Sequence, residues 1–264
     1  QLARAGQKRC FEDFDRVLRA REKEAGLFFR DLIPSADPEE RDLFRQAMAG
    51  MVWNQQYYHF DVARWFDGDV IPPEEGHDRV RNAGWRHLKA DDVISMPDGW
   101  EYPWFASWDL AFQALTWAML DPNFAKEQLE LILSSRFIHP KGQIPAYEWA
   151  FDDVNPPVHA FAALEVFRME REREGRSDTG FLHRVFNKLL LNYAWWLNRK
   201  DREGLNLFEG GFLGLDNISV YNRSHPPGEG FRLKQADATG WMAMFSLNMT
   251  LIALELAVED RNYE

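Results

Sequence analysis

Apolar side chains recur at a spacing of three and four residues through most of this 264-residue chain, a pattern typical of amphipathic helices. Proline and aspartate mark where several helices begin, as in Asp37-Pro38 and Asp121-Pro122. Strand-like alternation is confined to short pieces. The pattern predicts an all-α fold of helical hairpins. The predicted helices cover residues 8–30, 38 to about 66, 108–120, 122–136, 157 to about 173, 178 to about 200, and 237–258.

Two of these helices carry more specific expectations. Ser107 is a candidate N-cap for the helix over 108–120. The last helix is apolar nearly all round, so it is predicted to be buried on every side. No uninterrupted apolar run approaches the roughly 20 residues that a membrane helix needs, and no signal peptide opens the chain. The cytoplasm is therefore the default location. Because the first residue is Gln1 rather than Met, we expect a segment of a longer protein.

Three long connections, over residues 67–103, 137–155 and 201–234, separate the predicted helices. Loops of such length are uncommon in compact domains and usually either carry function or are disordered. These loops are rich in aromatic residues, including Trp104 beside the first of them and Trp149 in the second. Disordered linkers avoid such side chains. We therefore expect ordered loops that form the walls of a pocket at the ends of the helices.

Composition narrows the possible functions. The net charge of -11 argues against binding nucleic acid or anionic lipid by charge. The single cysteine, Cys10, allows neither a disulfide framework nor a thiolate metal cluster. The histidines show no metal-ligand spacing, and no nucleotide-binding or nucleophilic-serine motif occurs, so neither a metal nor a cofactor is expected. Eleven Trp, seven Tyr and twenty Phe could stack on sugar rings or could fill a large helical core.

Acidic residues in the loops are the remaining candidates for chemistry. Asp109, in the first turn of a predicted helix, could bind a ligand or could serve only the helix dipole. The segment from Gly142 to Pro157 holds acids, amides and aromatics. These side chains could bind a ligand, or the segment could be a structured loop whose acids are only solvated. Asp216-Asn217 follows a glycine-rich stretch and could also be an ordinary Asx turn. Carboxylates together with tryptophans on a helical scaffold fit glycoside hydrolysis, which uses a pair of carboxyl groups.

Three motifs, in their order, carry a family resemblance. They are Ser107-Trp108-Asp109, then Gly142 to Pro145 with Asn155-Pro156-Pro157, then Leu213-Gly214-Leu215-Asp216-Asn217. With these motifs the chain resembles the catalytic domain of the mannosyl-oligosaccharide glucosidase family, glycoside hydrolase family 63, especially its bacterial branch. It is similar, more distantly, to trehalases and mannosylglycerate hydrolases. The resemblance covers about residues 50–258 and implies an (α/α)6 toroid, of which residues 1–264 would form the N-terminal half as a single domain.

The resemblance also implies roles for residues. Asp216 takes the position of the general acid, while Trp108, Asp109 and Gln143 take positions that bind sugar. Further candidates for substrate binding in the same segments are Trp104, Glu148, Trp149, Asn155 and Asn217. Two departures stand out: Leu213 replaces the usual Ser, and the Arg that trehalases carry before the Pro-Pro pair is missing, which argues against trehalose.

The implied activity is that of an inverting, exo-acting α-glycosidase on gluco- or manno-configured oligosaccharides or small glycosides. In the family the catalytic base is a Glu in the last part of the toroid, and no residue here matches it. The chain is therefore expected to carry the acid half of the site. A different class remains open, in which the chain is a non-catalytic scaffold that binds carbohydrate or protein. The sequence leaves the oligomeric state open.

Overall fold

The computed structural model describes residues 11–34, 36–68, 81–200, 204, 207–208 and 237–264. They fall into two compact units, Gln1–Val52 and Trp53–Glu264. Among the described residues, helix accounts for 61% and is joined by one small sheet, so the expectation of a mainly helical protein is confirmed. The expectation of a strictly all-α fold is wrong, because the structure contains a two-stranded sheet.

The first unit contains α1 (Phe14–Leu32) and nearly all of α2 (Pro38–Trp53). The Asp37-Pro38 signal does begin a helix: Asp37 accepts hydrogen bonds from the backbone of Glu39 and Glu40, and its own N–H donates to the Glu40 carboxylate. This reciprocal pairing supplies acceptors to backbone N–H groups that have no hydrogen-bond partner within the helix. Within this unit, Met48 is the only buried residue among those the structure describes.

The predicted extension of α2 to Phe66 is wrong. The helix ends at Trp53, and the chain continues as strand β1 (Gln55–Asp61) and the short helix α3 (Val62–Phe66). β1 pairs antiparallel with β2 (Lys89–Ser95), with Gln55 opposite Ser95 and Asp61 opposite Lys89. Aromatic residues such as Tyr57, Tyr58 and Phe60 favour strands when a partner strand is available, and here the partner lies about thirty residues away in sequence.

Five longer helices complete the second unit. They are α4 (Ser107–Leu120), α5 (Pro122–Ile132), α6 (His159–Glu174), α7 (Thr179–Leu197) and α8 (Asp237–Ala257). These match the predicted helices apart from a few residues at the ends. Asp121 and Asp178 cap α5 and α7 by accepting backbone hydrogen bonds. The predicted Ser107 cap is wrong: Ala106 occupies the N-cap position of α4, and no side chain caps the helix.

The helices α4, α6 and α8 run in the same direction. Arg173, near the end of α6, donates to the carbonyls of Ala118 and Met119 near the end of α4. Arg171 pairs with Glu255 near the end of α8 at 2.7 Å. α6 contacts both α4 and α8, while α5 and α7 contact each other and pack against this row. The beginnings of α4 and α6 therefore lie at one end of the unit.

At the opposite end, a buried ion-pair cluster joins α5, α6 and α7. Lys126 donates to Glu170 at 3.0 Å and to Asp178 at 2.8 Å, and Arg176 also lies 3.0 Å from Glu170. Glu170 is only 1% exposed. Removing one partner would leave a buried charge unpaired, which is strongly destabilising. The cluster therefore links the positions of the three helices.

An aromatic core lies under the sheet. Its members from the sheet, the 82–88 turn and the loops pack around Phe105, Phe137 and Phe151, all of them fully buried. Alternation along β1 sends Tyr58 into this core, while Tyr57 and His59 face outward and both contact Asp91. The core thus lies directly behind the segment that leads into α4.

Helix α8 differs from its prediction in two ways. Met242, Phe245 and Ile252 are buried, but Leu247 and Leu254 are each 60% exposed in the described structure, so the helix is not covered on every side. By length and composition, Ala238–Ala257 is also apolar enough to cross a membrane, contrary to the sequence expectation. Core helices of soluble proteins share these properties, and α8 packs on α6 and α7.

Candidate active site

The segment that leads into α4 pairs with the loop that follows α5. The N–H of Ser107 donates to the carbonyl of Ala146 at 2.9 Å, and the N–H of Glu148 donates to the carbonyl of Phe105 at 3.0 Å. Ala106 and Tyr147 form an antiparallel bridge between these two bonds. Two of the motifs singled out in the sequence, about forty residues apart, therefore lie side by side at the beginning of α4.

Aromatic rings cluster where the two segments meet. The rings of Trp104 and Trp149 contact each other edge to face at 5.9 Å, and Tyr102 contacts Trp104 at 5.1 Å. The guanidinium of Arg81 lies 4.0 Å from the centre of the Trp149 ring. Trp149 is still 47% exposed, and Trp108 packs edge to face on Phe112 within α4. The arrangement leaves flat, partly exposed rings of the kind that stack on a ligand.

Asp109 is a half-buried carboxyl in the first turn of α4. Burial raises its pKa, an effect that its own backbone N–H partly opposes. It forms no ion pair with any residue that the structure describes. An uncompensated carboxyl is costly to bury, and carboxyls of this kind cluster at functional sites, but the role of Asp109 toward a substrate stays a prediction.

Glu148 is the second half-buried carboxyl of this region. Burial raises its pKa, while Tyr58 and Arg81 act in the opposite direction. The Tyr58 hydroxyl is itself buried. Its pKa is raised mainly by burial and, to a smaller extent, by the negative charge of Glu148. The two groups are near enough to interact electrostatically, although no hydrogen bond of normal geometry reaches the hydroxyl from a described residue. Two carboxyls with raised pKa values thus belong to the two paired segments.

Gln143 and Asn155 hold their own loop together. The side-chain amide of Gln143 donates to the carbonyls of Asp152 and Asp153, both at 3.1 Å, and Asn155 donates to the carbonyl of Ala146 at 3.4 Å. Both residues also line a cavity at the beginning of α6. Their amide N–H groups are therefore engaged within the loop, and the role of either residue toward a substrate stays a prediction.

The predicted acid Asp216 and its neighbour Asn217 lie outside the described residues. Phe208 is the last described residue before them in the sequence. Its N–H donates to the Thr239 hydroxyl in the first turn of α8 at 3.0 Å. Since α8 runs parallel to α6, this first turn lies at the same end of the unit as the paired segments.

Asn82 is a structural residue that the sequence analysis missed. It is 5% exposed and adopts a left-handed backbone conformation with φ of 65°. Its side-chain amide donates to the carbonyl of Glu148 at 2.6 Å, and its carbonyl oxygen accepts from the N–H of Phe151 at 2.8 Å. Asn82 thereby fixes the backbone on both sides of Trp149. Its only sequence signal is the Asn-Ala-Gly turn composition, because Asn tolerates this conformation.

His159, the first residue of α6, was also missed as a candidate. No histidine stands at metal-ligand spacing in the sequence, and no group of three or more candidate metal ligands converges in the described parts of the chain. His159 is 3% exposed and lines the same cavity as Gln143 and Asn155. Burial lowers its pKa to about 4, so the ring is neutral at pH 7.

These features describe a helical domain with half-buried carboxyls and partly exposed tryptophans at one end, the class that includes helical glycoside hydrolases. Residues 102–242, more than half of the chain, match the model of the mannosylglycerate hydrolase MGH1-like glycoside hydrolase domain, and the chain belongs to this family.

The chain is also similar to individual known proteins. It is 54% identical over 257 residues to the uncharacterized Saccharomyces cerevisiae protein YMR196W, covering 96% of this chain and 24% of that protein. Among solved structures, it is similar to the GH63 mannosylglycerate hydrolase of Thermus thermophilus in complex with Tris and D-glycerate, at a TM-score of 0.43 and 19% identity over 65% of this chain and 48% of the other. An uncharacterized conserved protein of the same organism gives a TM-score of 0.39 and 21% identity, over 65% of this chain and 46% of the other.

Proposed function

We propose that this chain carries the acid half of the active site of an inverting, exo-acting α-glycosidase. The observation that supports the proposal best is the pairing of the segment before α4 with the 142–155 loop. It places Trp104 in contact with Trp149 and the start of α4, which carries Asp109, beside the loop that carries Glu148. Both carboxyls are half-buried and have raised pKa values. Membership in a glycoside hydrolase domain family agrees with this chemistry.

Asp216 is the proposed general acid and protonates the departing glycosidic oxygen. A Glu outside this chain is the proposed base, which activates water on the opposite face of the sugar. Inverting enzymes hold two such carboxyls roughly 6.5–9.5 Å apart. Trp108 stacks on the sugar, and Asp109 accepts hydrogen bonds from its hydroxyls. Trp104, Gln143, Glu148, Trp149, Asn155 and Asn217 complete the proposed binding surface.

The proposed substrate is a gluco- or manno-configured oligosaccharide or small glycoside, and the mannosyl-oligosaccharide glucosidases are the proposed functional relatives. The proposed arrangement is a partial (α/α)6 toroid, which the parallel row of α4, α6 and α8 with α5 and α7 packed against it supports. The proposal involves neither a metal nor a cofactor. We place the protein in the cytoplasm, which cell fractionation would test.

The test is the substitution Asp216→Asn in the full-length protein. Removal of the general acid is expected to lower kcat by at least about a hundredfold with KM little changed, since the acid acts in the transition state and not in ground-state binding. Asp42→Asn, the same change at an exposed position on α2, is the matched control and should leave kcat unchanged. Near-normal turnover of Asp216→Asn would show that another group is the acid.

Two further measurements separate the alternatives. Proton NMR of the first-formed sugar should show the inverted anomer, and retention would contradict the proposed mechanism. If the full-length protein binds oligosaccharides but never hydrolyses them, the domain is a carbohydrate-binding scaffold and the catalytic proposal fails. Absence of both binding and hydrolysis would favour a scaffold for protein interactions.

A further inference from the structure

A small cavity with a mixed polar and apolar lining lies between the beginnings of α4 and α6, the 142–155 loop and the end of α7. Its volume is about 20 Å³. Polar side chains from all four elements line it, among them Ser107, Asn155, His159 and Asn192. Asn192 also donates to the carbonyl of Gly142 at 2.9 Å, which ties α7 to the start of the loop. A cavity of this volume holds one water molecule and is too small for a sugar ring.

His159 is the most unusual group in this cavity. It is only 3% exposed, and neither ring nitrogen makes a hydrogen bond of normal geometry with a described residue, although the backbone of Ser107 is near enough to act as a partner for one of them. Burial lowers the pKa of the ring, and a hydrogen bond to the backbone of Ser107 acts in the opposite direction with a smaller effect. A neutral imidazole carries one N–H donor and one acceptor nitrogen, and leaving either unpaired in a protein interior costs stability. With the Ser107 backbone near one nitrogen, the other nitrogen still lacks a partner among the described residues, which is uncommon for a buried polar group.

We propose that this cavity is a binding site for one ordered water molecule, which hydrogen-bonds to His159 and to the polar groups that line the cavity. The volume fits one water, and the lining includes polar side chains besides His159 that can act as its hydrogen-bond partners. The water links the start of α6 to the loop that carries Glu148 and Trp149. The inference does not depend on the proposed glycosidase activity.

Other occupants fit less well. A metal ion would need several ligands, and no group of three or more candidate ligands exists in the described parts of the chain. An apolar occupant would leave the ring nitrogens unpaired. A hydroxyl group of a bound polyol offers the same hydrogen-bonding chemistry as water, so the experiment must distinguish these two sources.

The first test is a crystal structure of the full-length protein at about 2 Å or better, grown and cryoprotected without polyols. We expect one spherical density peak 2.7–3.2 Å from a ring nitrogen of His159, the normal hydrogen-bond distance. An empty cavity, or a protein group bonded to the ring, overturns the proposal. A second structure with glucose or mannose bound should retain the water, and replacement by a sugar hydroxyl would assign the cavity to the substrate instead.

The second test compares the thermal stability of two variants. His159→Phe keeps an aromatic ring but removes both nitrogens, so we expect the water to be lost and Tm to fall by about 3 °C or more. An increase in Tm would mean that the nitrogens were unsatisfied in a dry cavity, which contradicts the proposal. His159→Gln keeps a donor and an acceptor, and its crystal structure should retain the water. His183→Phe, at an exposed position, is the control for the chemical change.

Discussion

Asp109 is a residue at which stability and function are expected to conflict. Its pKa is raised by burial, which means that the folded protein disfavours the ionised carboxylate. Asp109→Asn keeps the shape and removes the charge, so Tm should rise slightly. In a glycosidase assay of the full-length protein, kcat/KM should fall by about 10- to 100-fold, since a charged hydrogen bond to substrate contributes about 1.5–3 kcal/mol.

The matched control for that change is Asp15→Asn. Asp15 is also in the first turn of a helix, α1, but it is exposed. Loss of its favourable interaction with the helix dipole should lower stability slightly, the opposite sign to Asp109→Asn. If both variants lose stability equally, Asp109 serves only its helix, and the argument from burial is wrong.

The lowered pKa of His159 predicts that the stability of the protein depends on pH. Its pKa is about 4 in the folded protein and about 6.5 in an unfolded chain. The unfolded chain therefore binds the proton more tightly, and stability is lost as pH falls from about 6.5 towards 4. The full loss is about 3 kcal/mol. Thermal unfolding at pH 7 and pH 4.5 should show a smaller difference for His159→Gln than for the wild type, and equal differences would exclude His159 as the cause.

At the scale of elements, Asn82 is expected to hold the 146–151 segment in place. Asn82→Gly permits the φ of 65° but loses both side-chain hydrogen bonds, which should cost about 1–3 kcal/mol. Asn82→Ala also loses them and must adopt a left-handed conformation, so it should be less stable than the Gly variant. In both variants, hydrogen exchange at the amide of Phe151 should accelerate. Unchanged exchange would show that the loop is fixed without Asn82.

The elements also show which structure the sequence could predict. Helices with a local start signal, such as those capped by Asp37, Asp121 and Asp178, begin within a few residues of their predicted starts, because the cap and the first turn of the helix are adjacent in sequence. The end of the helix capped by Asp37 is not predicted in the same way, since it stops at Trp53 and not near Phe66. β1 was missed because its partner strand is distant in sequence, and Asn82 was missed because its partners lie 66 and 69 residues away. Likewise, loop length and aromatic content indicated a pocket, and the residues around Asp109 and between Gly142 and Pro157 could be singled out from the sequence. That these two segments pair with each other could not be predicted, because they are about forty residues apart.

At the scale of the whole molecule, the two units differ sharply in how much they bury. In Gln1–Val52 only Met48 is buried among the described residues, and α1 contains no buried residue. The aromatic core, the ion-pair cluster of Lys126 and the paired segments of the candidate site all belong to Trp53–Glu264. Because buried apolar area is the dominant favourable term in folding, the second unit should hold most of the stability.

This difference predicts that removing residues 1–52 leaves the second unit folded. The shortened protein should keep its helical circular dichroism in proportion to its length and should unfold cooperatively, with a Tm within about 5 °C of the parent. Removing residues 237–264 is the comparison. It takes away α8 with the buried Met242, Phe245 and Ile252 and should abolish cooperative unfolding. If the first deletion also abolished it, the stability of the second unit would depend on residues 1–52 despite their small buried area.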